Sequence, residues 1–225
     1  MPLRAVIFDF DGVLVNSEPL HFRTLRDILL PEGIAIDEDE YVHTYLAYDD
    51  RGAIRLALER HGVPFDLADV DRIARRKAAV FDAAMAEVPL FPGVRELLQG
   101  LAAEMPLAIA SGALHDEIEA ILRSNALLPL FETIVGADDV SRGKPHPEPY
   151  LTAMTRLHHR VPGLRPEECL VFEDSMPGIA AARAAGMTVV AVTNSYPAVK
   201  LSAAHRVVTS LEGLATVDLR ELVAA

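Results

Sequence analysis

The sequence predicts an α/β fold, a Rossmann-like parallel sheet core with an inserted helical cap domain. Three observations lead there. Short apolar segments alternate with amphipathic helical patterns through the second half of the chain. Within each segment apolar and polar residues do not alternate, as expected of parallel strands covered on both faces. The first segment, in contrast, is followed by a long stretch that is helical in pattern and contains no convincing strand.

The first strand is expected at Arg4–Phe8. The inserted stretch carries helical patterns at His21–Leu30, Glu38–Ala47, Arg51–His61 and Asp69–Glu87, punctuated by Pro31, Gly33, Gly62 and Pro64. After a Pro-Gly turn, helix Gly93–Glu104 leads to a strand at Leu107–Ala110. Helix Asp116–Ser124 precedes a strand at Thr133–Val135, and helix Glu148–His158 precedes one at Cys169–Phe172. Helix Pro177–Ala185, closed by Gly186 as a left-handed cap, precedes the strand at Thr188–Val192. A last strand near Arg206–Val208 and a surface helix complete the tail. Strand and helix in alternation imply a parallel sheet with right-handed crossovers. The core is therefore assigned to residues 1–15 and 89–225, and the cap to residues 16–88.

Composition narrows the function. The chain has 225 residues, 51% of them hydrophobic, which is ample for a core. Its net charge of −12 argues against a nucleic-acid surface, which needs clustered Lys and Arg. A small phosphorylated ligand stays compatible, because one bound divalent cation reverses the local field in a pocket. The single cysteine, Cys169, excludes an intrachain disulfide and is expected in the core. There is no signal-peptide pattern and no apolar run near the roughly 20 residues that span a bilayer. The expectation is a cytoplasmic monomer or weak dimer, with no nucleic acid and no membrane as partner.

Ligands of open parallel sheets bind beyond the carboxyl ends of the strands. Chemistry-bearing residues gather at those ends: Asp9 and Asp11 after the first strand, Ser111-Gly112 after the second, Lys144 following the third, Glu173-Asp174 at the fourth. Asp9 and Asp11 are two apart, so on an extended backbone their side chains point the same way, and Gly12 lets the chain turn out. Four carboxylates in one place repel one another unless a hard cation joins them. Mg²⁺ suits carboxylate, phosphate and water. Ser111 and Lys144 supply a hydroxyl donor and a positive charge for phosphate oxygens. A carboxylate can itself attack phosphorus, which divides a slow hydrolysis into two steps. Asp9, closer to the strand, suits that role; Asp11, on the turn, suits proton exchange.

The segments Asp9-Phe10-Asp11-Gly12-Val13-Leu14, Ser111, Gly143-Lys144-Pro145-His146-Pro147 and Glu173-Asp174 resemble the four motifs of the haloacid dehalogenase superfamily. Asn16-Ser17-Glu18-Pro19-Leu20-His21 and the helical insertion resemble its β-phosphoglucomutase-like, or CbbY-like, branch. The resemblance implies a Mg²⁺ cofactor and a phosphoryl transfer catalysed by Asp9, Asp11, Ser111 and Lys144. It implies Asp9, Asp11 (through its carbonyl), Glu173 and Asp174 as metal ligands. It also implies His21, Arg51, Lys77 and Gly112 as substrate contacts. The usual Asp before Ser17 is Asn16 here, a departure from the pattern. The expected function is hydrolysis of a small phosphorylated metabolite, a sugar phosphate by preference, through an aspartyl-phosphate.

A β-phosphoglucomutase-type mutase is the alternative. It needs a cationic second phosphate site, which Gly112-Ala113-Leu114-His115 does not supply. A receiver-like phosphoaspartate signalling domain is a remoter one, since receivers carry no bundle after their first strand and take their lysine from after the fifth.

Overall fold

The protein is described by a computed structural model covering residues 2–46, 48–214 and 216–224. Among these residues, six strands form one sheet: β1 (Ala5–Phe8), β2 (Leu107–Ala110), β3 (Phe131–Val135), β4 (Cys169–Glu173), β5 (Thr188–Val192) and β6 (Arg206–Val208). All neighbours are parallel, in the order β3-β2-β1-β4-β5-β6. The runs AVIF, LAIA and CLVFE are buried throughout. That is why apolar residues occupy successive positions rather than every second one.

Each strand presents its side chains to two faces. On one, Ala5, Ile7, Ala108, Ala110, Val171 and Val189 join a core with residues of the helices Glu148–Leu157 and Met176–Ala184. On the other, Phe8 and Phe172 lie in register and stack with ring centroids 5.0 Å apart. Full burial of each such side chain contributes about 1.5–3 kcal/mol. Cys169 is a free, buried core residue whose thiol is pushed up to about 12 by burial. Strand β3 starts two residues before its expected position. The register with β2 shifts beside Glu132, which interrupts the apolar run and hides its beginning.

The chain divides into two compact units, one comprising residues up to Asn16 and from Pro89 onward, the other Ser17–Val88. The two chain crossings pair with each other within the first unit: Asn16 N–H donates to Pro89 C=O at 2.9 Å and Phe91 N–H to Leu14 C=O at 3.1 Å.

The second unit contains α1 (Glu18–Leu29), α2 (Glu38–Glu40), α3 (Asp50–Arg60) and α4 (Leu67–Ala84). Leu25, Ile28, Tyr45, Ile54, Leu58 and Ile73 form part of its own core. Helix α4 begins two residues earlier than expected because Asp66 and Asp69 form a reciprocal capping box. The single helix expected at Glu38–Ala47 is instead α2 followed by a π turn at Tyr41–Tyr45, where Leu46 N–H reaches Tyr41 C=O at 3.0 Å. Over five residues a π period cannot be told from an α period by hydrophobic pattern. Ala47 lies outside the described residues. The remaining helices are α5 (Val94–Ala102), α6 (His115–Ser124), α7 (Glu148–Leu157), α8 (Met176–Ala184) and α9 (Thr216–Ala224).

Candidate active site

From β1 the core chain steps outward to β2 and β3, then returns to the far side of β1 as β4. At such a switch point the crossovers leave in opposite directions and open a crevice beyond the strand ends. Asp9 follows β1, and its N–H bonds Phe172 C=O at 2.9 Å, so the nucleophile candidate is anchored to β4. Ser111 follows β2 and is likewise tied through its N–H to Val135 C=O at 2.9 Å. Glu173 ends β4 and Asp174 comes next. Lys144 arrives on the loop before α7, where the Lys144–Pro145 bond is cis. Its ammonium donates to Asp9 Oδ1 at 2.8 Å and Glu173 Oε1 at 2.7 Å. Sequence positions 9, 144 and 173 thus meet.

Glu173 is fully buried yet surrounded by donors. Oε1 accepts from Lys144 and from the Tyr150 hydroxyl, the latter at 2.7 Å. Oε2 accepts from Asp174 N–H, Ser175 N–H and the Ser175 hydroxyl, each at 2.9 Å. Ser175 is also the N-cap of α8, its hydroxyl accepting from Gly178 N–H at 3.1 Å. The start of α8 therefore packs onto the carboxylate, and a Cβ at Gly178 would stand 1.6 Å from Glu173 Oε1. Sequence reasoning missed Tyr150, Ser175 and Gly178. Ser175-x-x-Gly178 after a strand was a legible cap signal, whereas Tyr150 looks like any residue of the buried stripe on α7.

Carboxylate oxygens of Asp9, Glu173 and Asp174 come within 4.8 Å of one another. Burial, then the Glu173 charge, pushes Asp174 up to about 7. Burial also raises Asp9 well above the carboxylate range, with Lys144 opposing and the other two carboxylates adding to the rise. At Glu173 burial acts the same way, but Lys144 and the hydrogen bonds outweigh it and keep the group below its ordinary value. For Lys144 burial favours the neutral amine, and the Asp9 and Glu173 charges overcome it, so its value is raised. Three carboxylates against one ammonium leave a negative excess in a buried space. A hard divalent cation with oxygen ligands fits that donor set and would restore the ionised forms. With five donors on its two oxygens, Glu173 has less acceptor capacity to spare than Asp9 or Asp174.

Asp11 departs from the expected geometry. The chain does not stay extended after Asp9; it bends at Phe10, and Gly12 N–H closes on Val15 C=O at 3.0 Å. The Asp11 carboxylate is not one of the converging three, although its charge acts on Asp174. Gly12 sits at φ +76°, and a Cβ there would lie 1.9 Å from Asp174 Oδ2, so only glycine fits. Two further residues from the loop after β5 were missed: Asn194 Nδ2 donates to Gly12 C=O at 2.8 Å, and the Ser195 hydroxyl donates to Asp174 Oδ2. After β2, the buried Ser111 hydroxyl accepts from Ala113 N–H at 3.1 Å, while Gly112 faces open space.

In the second unit, His21 and Lys77 come together. Lys77 is buried on the face of α4 that also carries Val70, Ile73 and Phe81. Its ammonium donates to Asp50 Oδ1 at 2.5 Å and to His21 Nδ1 at 3.1 Å. Since a lysine only donates, Nδ1 accepts and the His21 proton resides on Nε2. His21 stacks on Phe81 at 4.4 Å, and burial, then Lys77, lowers its pKa to about 4. A cleft of about 180 Å³ opens here, lined by Glu18, His21, Tyr41, Tyr48, Asp50 and Lys77 among others. Asp50 had not been anticipated; a carboxylate on the first turn of a helix reads as an ordinary dipole partner. Arg51 is not part of this group. It is exposed and pairs with Asp71 at 3.1 Å.

Comparison with known proteins shows the family to which the chain belongs. The chain matches the family described as Haloacid dehalogenase-like hydrolase over residues 6–192. Protein CbbY of Rhodobacter capsulatus is 33% identical over 232 residues, covering 99% of this chain and 100% of that protein. A phosphorylated carbohydrates phosphatase of Thermotoga maritima is 34% identical, covering 82% of each. The solved structure of CbbY from Rhodobacter sphaeroides in complex with phosphate superimposes with a TM-score of 0.80 at 26% identity, over 98% of this chain and 100% of that one.

Proposed function

We propose that this chain, which belongs to the haloacid dehalogenase-like hydrolases and is a phosphoric monoester hydrolase, dephosphorylates a sugar phosphate through an aspartyl-phosphate on Asp9, with Mg²⁺ as its cofactor. The observation that carries the reading is the Asp9 carboxylate held by Lys144 at 2.8 Å beside Glu173 and Asp174 at the switch point. Asp9 attacks phosphorus as the bond to the leaving oxygen breaks, and Asp11 gives that oxygen a proton. Asp11 then takes a proton from water, which attacks phosphorus and releases phosphate and free Asp9. Ser111 and Lys144 stabilise the phosphoryl oxygens. Asp9 and Asp174 would carry most of the metal, with Glu173 contributing charge and fixing Lys144, and Asp11 lending its carbonyl. When bound, Mg²⁺ offsets the repulsion between an anionic nucleophile and an anionic phosphate.

Hydrolysis is favoured over mutase chemistry because Gly112, Ala113 and Leu114 bring no cation for a second phosphate. A sugar phosphate is favoured by the similarity to the Thermotoga maritima phosphorylated carbohydrates phosphatase. In the second unit, His21 and Lys77 are assigned to substrate; Arg51, committed to Asp71, is the weaker candidate.

Phosphate release from a panel of sugar monophosphates, measured with Mg²⁺ and with EDTA, tests this. Chelation should abolish turnover, and Asp9→Asn should lower kcat by at least about 1,000-fold. A variant that turns over at the parent rate overturns the covalent route.

A further inference from the structure

We propose that the loop leaving β5 is the outer shell of the metal centre: Ser195 orients Asp174, and Asn194 holds the turn that follows the nucleophile. The inference rests on the metal-dependent reading above and concerns residues that reading does not use.

Thr193 N–H bonds Val208 C=O at 3.0 Å, which ties the start of the loop to β6. The next two side chains reach back into the site. The Ser195 hydroxyl donates to Asp174 Oδ2. A carboxylate held at one oxygen loses its freedom to rotate about Cβ–Cγ, so its other oxygen keeps a fixed direction. Asn194 Nδ2 donates to Gly12 C=O at 2.8 Å while Gly12 N–H donates to Val15 C=O at 3.0 Å. The peptide planes on both sides of Gly12 are thereby fixed, including the plane that carries the Asp11 carbonyl.

The three loop ends fit closely. A Cβ at Gly12 would stand 1.9 Å from Asp174 Oδ2 and 2.8 Å from Ser195 Oγ. The exits of β1, β4 and β5 thus meet with no room for a methyl group at Gly12. Asn194 and Ser195 are themselves exposed, so neither is core packing. Their hydrogen bonds end on a metal-ligand candidate and on the nucleophile's own turn. Partners of this kind orient ligands and typically alter metal affinity 10- to 100-fold, as a general rule of outer-shell contacts.

Calorimetric titration of the full chain with Mn²⁺ tests the assignment without recourse to activity. Ser195→Ala should weaken Kd by about tenfold or more, and Ser195→Thr, which keeps the hydroxyl, should return it to within about threefold of the parent. Asn194→Ala should weaken binding by a smaller factor, while thermal midpoints in EDTA stay level across all variants. A Ser195→Ala protein that binds Mn²⁺ within about twofold of the parent overturns the outer-shell role and leaves the phosphatase reading standing. Equal losses of binding in Ser195→Ala and Ser195→Thr overturn it too, since the hydroxyl would then carry none of the effect. A parent chain that binds no divalent cation overturns the metal reading, and this inference with it.

Discussion

Glu173 shows how an ionised side chain is kept without solvent. Lys144 and Tyr150 donate to one oxygen, and two N–H groups with the Ser175 hydroxyl donate to the other. Unpaired burial would cost several kcal/mol, and charge-assisted hydrogen bonds offset most of it. The arrangement requires space at the start of α8. Gly178→Ala puts a methyl onto a carboxylate that cannot move without breaking five hydrogen bonds. It should destabilise the fold by at least about 2 kcal/mol, read from urea midpoints, and lower kcat as Lys144 shifts. At His21 the consequence is a pH dependence. Its folded-state pKa of about 4 lies below the ordinary 6.5, so as pH falls the unfolded chain takes the proton first. Stability contributed by neutral His21 is complete above pH 6.5 and declines towards pH 4. His21→Asn, which keeps an acceptor near the Nδ1 position, should flatten the fall of the urea midpoint across that window. Asp9, Lys144, Glu173 and Asp174 were legible as residue types at strand ends. Tyr150, Asn194 and Ser195 were not, because a single hydrogen bond across the fold leaves no local pattern.

At the scale of elements, helix α4 illustrates what pattern reveals. Val70, Ile73 and Phe81 mark a buried stripe at helical spacing, and Lys77 occupies a position within it. A lysine on an apolar face needs a partner, here Asp50 and His21. The start of this helix was misplaced because the apolar pattern begins after the cap. Asp66→Ala should lower the stability of the Ser17–Val88 unit by about 1 kcal/mol, measured by hydrogen exchange of α4 amides. The π turn at Tyr41–Tyr45 was invisible for a different reason. Its Tyr41 hydroxyl binds Glu18 of α1, a contact that spacing along one segment does not encode. Strand β1 was read nearly to its bounds, but the bend at Phe10 was not, since it depends on hydrogen bonds that close the Gly12–Val15 turn.

For the molecule as a whole, three clustered carboxylates would couple folding to the binding of a divalent cation. An ion that binds the folded chain alone stabilises it by mass action, about 2.7 kcal/mol at 100 times Kd. The thermal midpoint should therefore rise with Mg²⁺ over its value in EDTA, and Asp174→Asn should abolish most of that rise. Scanning calorimetry with and without the ion checks both.

The class of fold and the chemistry at strand ends can be read from residue order, because buried parallel strands write continuous apolar runs and turn residues mark where they stop. How those ends are wired emerges from the packed fold: Lys144 between Asp9 and Glu173, Asp11 apart from the converging carboxylates, Ser195 on Asp174, Arg51 paired with Asp71. Periodicity reports which face of an element is buried. Hydrogen bonds between residues far apart in the chain depend on sub-ångström placement of separate elements, and the packing of the whole fold sets that placement.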